Sequence, residues 1–365
     1  MTLNELNILN YRNIREANLS FSPNINCLIG NNGMGKTNVL DAIYFLSFCK
    51  SSFTTTDSLN ITHDADFLML QGQYMRADQL ENISCGMKRG QKKHVKRNGK
   101  EYQRIADHIG LLPLVMISPR DVDLIVGGSE NRRKLIDGII AQTDRQYLHN
   151  LVVYSQLLKQ RNALLKDENI DVNVLEVIDM QMSDLGQKIF AIRTAFIEQF
   201  TPYFQDFYNF IADCSKENVS LIYHSHLQQN DLMSDLMRLR ERDQVVGFTT
   251  HGIHKDDIDL MLDDYLVRNV GSQGQQKTFL LALKFAQFAF LKQKHGFNPI
   301  LLLDDLFDKL DSHRVSRIVE LVNTDRFGQI FITDTDMAHI DEILKPIVLE
   351  NKIFNVENGN VSAKI

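Results

Sequence analysis

An apolar run, Ile25-Asn26-Cys27-Leu28-Ile29, ends at the segment Gly30-Asn31-Asn32-Gly33-Met34-Gly35-Lys36-Thr37, and a helical pattern follows from Thr37 to about Cys49. No other feature constrains the fold of this chain as strongly. The segment matches G-x-x-x-x-G-K-[ST] in full, and each position answers a physical demand. The glycines let backbone amides curl around a phosphate with no side chain in the way. Lys36 sets a point charge on the terminal phosphates, Thr37 offers a hydroxyl to magnesium, and the helix N-terminus adds its dipole. A chance glycine-rich turn would not need an apolar strand before it and a helix after it. The segment therefore reads as a phosphate-binding loop for ATP with Mg2+.

Such a loop requires a carboxylate on another strand to hold the metal. Ile300-Leu301-Leu302-Leu303-Asp304-Asp305 supplies one: four apolar residues form a strand buried on both faces, and acids emerge at its C-terminal end. Asp304 is the expected magnesium carboxylate. Asp305, one residue on, is expected to orient or deprotonate the attacking water, with Lys36 as its catalytic partner on the phosphates; its alternative is to cap the next turn.

The 365 residues show short strand-like alternation at Leu6, Ile8, Leu19 and Phe21, and again from Phe67 to about Val115. Within the latter, Asn98-Gly99 lies at the centre of His94–Tyr102, a strong hairpin signal. From Glu130, with Ser129 as a possible cap, helical periodicity is expected to run to about Arg242. The last third alternates again, with a helix from Gln275, the aspartate strand, a helix through Val315–Val322 and a strand Gln329–Thr333. The expectation is an α/β head, residues 1–120 and 245–365, interrupted by a helical arm, 121–244. No stretch is apolar enough to span a membrane and the N-terminus lacks a signal-peptide pattern, so a cytoplasmic protein is expected. Cys27, Cys49, Cys85 and Cys214 are too scattered for a disulfide framework or zinc cluster. His251, His254 and Asp256 have an H-x-x-H spacing but no helical context or third ligand at a fixed offset, which weighs against a metal site.

Gly271-Ser272-Gln273-Gly274-Gln275-Gln276-Lys277 opens the helix that precedes the aspartate strand. Ser272 suits an N-cap and Gly274 a close backbone approach. Placed between a phosphate loop and an aspartate strand, it resembles the signature motif of ABC-type ATPases, in which two ATP molecules are sandwiched between head-to-head subunits. Within that class the chain is similar to the SMC-like heads, and most of all to the RecF family. The resemblance rests on Tyr11-Arg12-Asn13-Ile14, on Asn38-Val39-Leu40-Asp41 after the loop, on Ser118-Pro119-Arg120-Asp121, on Asn131-Arg132-Arg133-Lys134, on Leu158-Lys159-Gln160-Arg161-Asn162 and on Gly252-Ile253-His254-Lys255-Asp256-Asp257. It implies that Arg12, Asn38, Ser272, Gly274 and Gln275 join Gly30–Thr37 at the nucleotide. It also implies an ATP-induced homodimer that gates DNA binding, a slow ATPase, action at gapped DNA or single-/double-strand junctions, and a RecR-like partner in loading RecA. The chain departs from the family at Gln273, where arginine is usual, and at Asp308 in Asp308-Lys309-Leu310-Asp311. Phe331-Ile332-Thr333-Asp334-Thr335 ends in threonine, without the ABC switch histidine.

Forty basic against 46 acidic residues give a net charge of −6, so DNA contact requires a local basic surface. Gly86–Arg104 holds eight basic residues, of which Lys88, Arg89, Lys92, Lys93, Lys96, Arg97 and Lys100 are the candidate DNA contacts, opposed only by Glu101. The plainer alternative is a solvated charged hairpin. Arg132, Arg133 and Lys134 are a second basic group, read as solvent-facing or DNA-binding. A transporter subunit is disfavoured by the missing switch histidine, the basic hairpin and the insertion. A fused nuclease is disfavoured because only 54 residues (365 − 311) follow Asp311. A P-loop kinase leaves the Ser272 loop unexplained, and a non-hydrolysing ATP-binding module stays open.

Overall fold

In the computed structural model, residues 1–364 are described except 168, 170, 214–216, 307–311, 323–326 and 346–348. The chain divides into two compact units: Met1–Asp121 with Phe210–Asp213 and Leu280–Ile365, and Val122–Asn209 with Cys214–Phe279.

In the first unit, four short strands dominated by apolar side chains, buried almost throughout, lie parallel in the order Ile25–Ile29, Ile330–Asp334, Ile300–Leu303, Leu114–Ile117. Strands with no exposed face need cover on both sides, which is why their apolar runs are nearly continuous. Beyond Ile25–Ile29 the sheet continues with Asn351–Glu357, parallel to it, and Asn360–Ala363, antiparallel at the edge. The second sheet of this unit is antiparallel: Ile14–Ser20, Thr2–Tyr11, Phe67–Arg76, Gln79–Lys88, His94–Arg97, Lys100–Glu101. The helix Lys36–Phe48 shares one apolar cluster with both sheets, and Val39, Leu40, Ala42, Ile43 and Phe45 are wholly buried. The expected hairpin forms: Asn98 and Gly99 take φ of 50° and 80°, the positive pair that a two-residue turn between right-twisted strands requires.

The second unit carries the helices Ser129–Ala141, Arg145–Leu164 and most of Val172–Ala212, which passes through Pro202. Gly128, not Ser129, stands at the N-cap of the first of these. Helix does not continue to Arg242 as the periodicity suggests. Val219–His224 is a strand, antiparallel to Asp257–Leu262 and followed by the short helices Leu232–Arg238 and Arg240–Val246. Its buried Val219, Leu221 and Tyr223 alternate with more exposed neighbours, a period of two that a long helical window averages away. That pairing lies wholly within the second unit.

Two arginines organise this unit. Arg161, fully buried, donates to Asp179, Asp243 and the Thr249 hydroxyl. Arg193, 1% exposed, donates to Asp137, Asp256 and the Ile253 carbonyl. Arg132 is buried and Arg133 half-buried, and both are held by their own unit. Arg132 makes a two-pronged bond to Asp257 at 2.8 and 3.0 Å, and Arg133 donates to the Asp256 carbonyl. Lys134 is exposed and pairs with Glu130. His254 sits between the Tyr154 hydroxyl (3.2 Å) and the Thr249 carbonyl (3.0 Å), and the described residues hold no cluster of three or more metal-type ligands.

Candidate functional site

Gly30–Thr37 leaves the C-terminal end of Ile25–Ile29 and enters the helix, as the sequence requires. Gly30 admits no side chain because an added Cβ would lie 2.1 Å from the Val356 carbonyl oxygen. Gly33 and Gly35 have φ of 81° and 117°, a region that glycine enters without strain. Asn31, Asn32 and Gly33 are exposed at the crest of the loop. Lys36 is buried, its ammonium donating to the carbonyls of Gly30 (2.7 Å) and Asn31 (3.3 Å), with Asp305 Oδ1 at 4.0 Å.

The loop is braced from outside. Asn13 donates to the Met34 carbonyl (3.1 Å) and accepts from Asn38 (2.7 Å). Gly359, in the turn of the C-terminal hairpin, donates its amide to the same Met34 carbonyl at 2.9 Å. Neither Asn13 nor the hairpin stands out as a site in the sequence, although Asn358-Gly359 between alternating strands carries the same signal as Asn98-Gly99. Arg12, φ 52°, is held by Asp41 (3.0 Å) and the Ser51 hydroxyl (2.8 Å), its guanidinium 5.5 Å from the centre of the Phe53 ring.

Thr37 and the aspartate strand meet directly. The Thr37 hydroxyl donates to Asp304 Oδ1 at 2.8 Å, and the Thr333 hydroxyl reaches the same oxygen at 2.9 Å and Asp305 Oδ1 at 3.3 Å. Thr333 also accepts the Asp305 amide (2.9 Å), which helps hold Asp305 at φ 42°, an unfavourable backbone conformation for a non-glycine residue. Burial pushes the Asp304 carboxyl above its ordinary range, and the neighbouring Asp305 charge adds to this; the two threonine hydroxyls and Lys36 oppose it. A buried carboxylate beside a hydroxyl, with a second carboxylate adjacent, is an oxygen donor set that suits a hard divalent cation such as Mg2+. On the strand after Thr333, Asp334 pairs with His339 at 3.0 Å, and its carbonyl accepts the Gly30 amide at 3.3 Å.

In the second unit, Ser272 and Gln275 form a capping box at the head of Gln273–His295. The Ser272 hydroxyl accepts the Gln275 amide (3.2 Å), and the Gln275 side chain accepts the Ser272 amide (2.9 Å) while donating to Glu217 (2.8 Å). The Thr278 hydroxyl donates to the Gly274 carbonyl at 3.0 Å. The segment Asp308-Lys309-Leu310-Asp311 lies outside the described residues.

The seven basic candidates of the 86–104 region separate into two groups. Arg89 donates to the carbonyls of Ala65 and Thr62, both at 2.9 Å, and more weakly to others. Lys93 pairs with Asp57 (2.7 Å), and Arg97 grips the buried Glu81 with two nitrogens. Lys88, Lys92, Lys96 and Lys100 are exposed, with no ion pair among the described residues.

The RecF/RecN/SMC N-terminal domain family matches residues 2–355. The DNA replication and repair protein RecF of Parabacteroides distasonis is 51% identical over 361 residues, covering 99% of each chain. The chain belongs to the RecF family. The Flavobacterium johnsoniae RecF is 47% identical over 360 residues. A solved structure described as the recombination mediator protein RecF-ATP in the RecFOR pathway matches this RecF-family chain at TM-score 0.90 and 28% identity, covering 100% of it and 98% of the other chain. An Smc head from Pyrococcus furiosus, at TM-score 0.58 and 18% identity, shares the fold. The ABC-type, SMC-like ATPase head expected from the sequence is the fold observed, with mixed helix and sheet. No described helix is long and apolar enough to cross a membrane.

Proposed function

We propose that this chain is an ATP-binding DNA-repair protein in which ATP joins two copies head to head on DNA and slow hydrolysis releases them. The observation that carries the reading is the hydrogen-bonded chain Thr37–Asp304–Thr333–Asp305 beside Lys36. The relatives bear the name DNA replication and repair protein, and a solved relative is described with ATP in the RecFOR pathway.

Gly30–Thr37 and Asn38 would wrap the phosphates, Lys36 exchanging its loop carbonyls for phosphate oxygens. Mg2+, held by Thr37 and Asp304, supplies charge neutralisation to the phosphates when bound. Asp305, tied to Thr333, would hold the attacking water. Ser272, Gly274 and Gln275 would meet the nucleotide of a second copy through a helix start already ordered by its capping box, and Arg12 would flank the nucleotide from a guanidinium fixed by Asp41. The family implies a RecR-like partner and preference for gapped or junction DNA.

Size-exclusion chromatography with light scattering tests this. ATP together with a gapped duplex should shift the chain to a DNA-bound dimer, and Lys36→Ala should abolish the shift. A chain that stays monomeric with both ligands present would overturn the reading.

A further inference from the structure

The exposed face of the antiparallel sheet in the first unit carries a cleft of about 380 Å3 that the nucleotide site does not use. Strand register sets its walls. Met69 lies across from Gly86 and Gly86 across from His94; Phe67 lies across from Lys88 in the next row, and Lys96 stands on the other side. Phe67 and Met69 are 40% and 37% exposed although the opposite face of the same strands, at Leu68 and Leu70, is fully buried. Gly86 lies inside the strand Gln79–Lys88, two residues from its end, has no positive φ to explain it, and nothing lies within 4 Å of where its Cβ would be. A glycine inside a strand with open space above marks a floor that something can approach closely. At the rim, Lys88 and Lys96 are exposed and carry no ion pair among the described residues, while His94 is paired with Glu101 at 2.6 Å.

An exposed aromatic ring beside a bare glycine floor, edged by Lys88 and Lys96 with a single carboxylate, Glu101, across from Lys96, is complementary to a flat apolar ring flanked by negative charge. We propose that this cleft binds one unpaired base of single-stranded DNA, stacked on Phe67 over Gly86, with its flanking phosphates on Lys88 and Lys96. A base within a duplex presents only its edges to a protein and cannot stack in this way. The cleft is therefore specific for the single-stranded part of a DNA substrate. This inference rests on the DNA-binding reading of the basic hairpin and assigns that surface its strand preference.

The test is fluorescence anisotropy with a short oligothymidylate and a blunt duplex, on the full chain with ATP, and thermal melting as the check on folding. Phe67→Ala and Gly86→Val, which fills the floor at a position where a β-branched residue suits a strand, should each weaken single-strand binding roughly tenfold and leave the duplex unaffected. Lys88→Gln should lower the slope of log affinity against log salt by about 0.7 for the single strand. Equal losses on both DNAs, or none from Phe67→Ala and Gly86→Val while Lys92→Glu/Lys100→Glu weakens both, would overturn the cleft and leave the hairpin reading intact. DNA binding unchanged in all of these variants would remove both readings. Loss of binding to a purified RecR-type protein in Phe67→Ala, with DNA binding intact, would make the cleft a protein-docking site and overturn the proposal.

Discussion

At the scale of single residues, burial and a neighbouring carboxylate disfavour the charged form of Asp304 in the nucleotide site. Asp304 is buried next to Asp305, and the two hydroxyls that satisfy it do not remove its charge. Asp304→Asn keeps an oxygen to accept from Thr37 while deleting one member of a like-charged pair. It should raise the melting temperature of the nucleotide-free chain by roughly 2–4 °C and eliminate the added stabilisation given by Mg2+ with ATP, both read by differential scanning fluorimetry. His254 makes a prediction of a different kind. Burial drives its imidazole down to about 4, assisted by the charges of Lys255, Arg133 and His226 and opposed by its bond to the Thr249 carbonyl. The unfolded chain therefore takes up a proton below about 6.5 that the folded chain refuses until about 4. Its contribution to stability is complete above pH 6.5 and is lost as pH falls through that window, by at most about 3 kcal/mol. Urea titrations across pH 4–7 should show this decline in the wild type and a flatter profile in His254→Gln. Parallel profiles would mean that His254 does not control it.

At the scale of elements, the C-terminal hairpin Asn351–Ala363 acts as a brace on the phosphate loop. Its first strand pairs with Ile25–Ile29, Val356 closes over Gly30, and the Gly359 amide holds the Met34 carbonyl. Gly359→Val would need φ near 81° in a β-branched residue and would press a Cβ to 2.1 Å from the Asn13 carbonyl. The expected result is roughly tenfold weaker binding of a fluorescent ATP analogue with far-UV circular dichroism preserved, from one lost hydrogen bond plus backbone strain. Unchanged affinity would show that the loop stands without the brace. This element also marks where the sequence stopped being legible. The strand–loop–helix at Ile25–Phe48 and the strand Ile300–Leu303 were readable because the chemistry of phosphate and metal fixes residue type and spacing together. The hairpin has a readable turn, but its value lies in contacts to Met34 and Gly30 more than 300 positions away, and no local pattern encodes a partner at that distance. The strand Val219–His224 was hidden for a related reason: its pairing partner, Asp257–Leu262, follows two short helices. Charge was legible only as a count. The Arg89, Lys93 and Arg97 side chains turned out to hold carbonyls and carboxylates of their own unit, which no basic run can reveal.

At the scale of the whole molecule, a net charge of −6 opposes DNA, and one hairpin offers only Lys88, Lys92, Lys96 and Lys100 as exposed lysines without ion pairs among the described residues. So few phosphate contacts give weak binding in a single copy, with a correspondingly shallow salt dependence. Joining two copies turns the second set of contacts into an intramolecular event, and avidity of this kind exceeds the single-site affinity by roughly 10²–10⁴. Nucleotide state should then set DNA residence time far more than it sets the first encounter. Asp305→Asn retains Lys36, Thr37 and Asp304 but loses the carboxylate proposed to hold the water, so ATP should close the dimer and not reopen it. In single-molecule or surface-binding measurements on a gapped duplex, Asp305→Asn with ATP and Mg2+ should dissociate at least tenfold more slowly than the wild type, with similar association rates. Lys36→Ala should dissociate as fast as the wild type without nucleotide. If Asp305→Asn leaves the dissociation rate unchanged, hydrolysis does not time release, and the chain serves as an ATP-binding module on DNA.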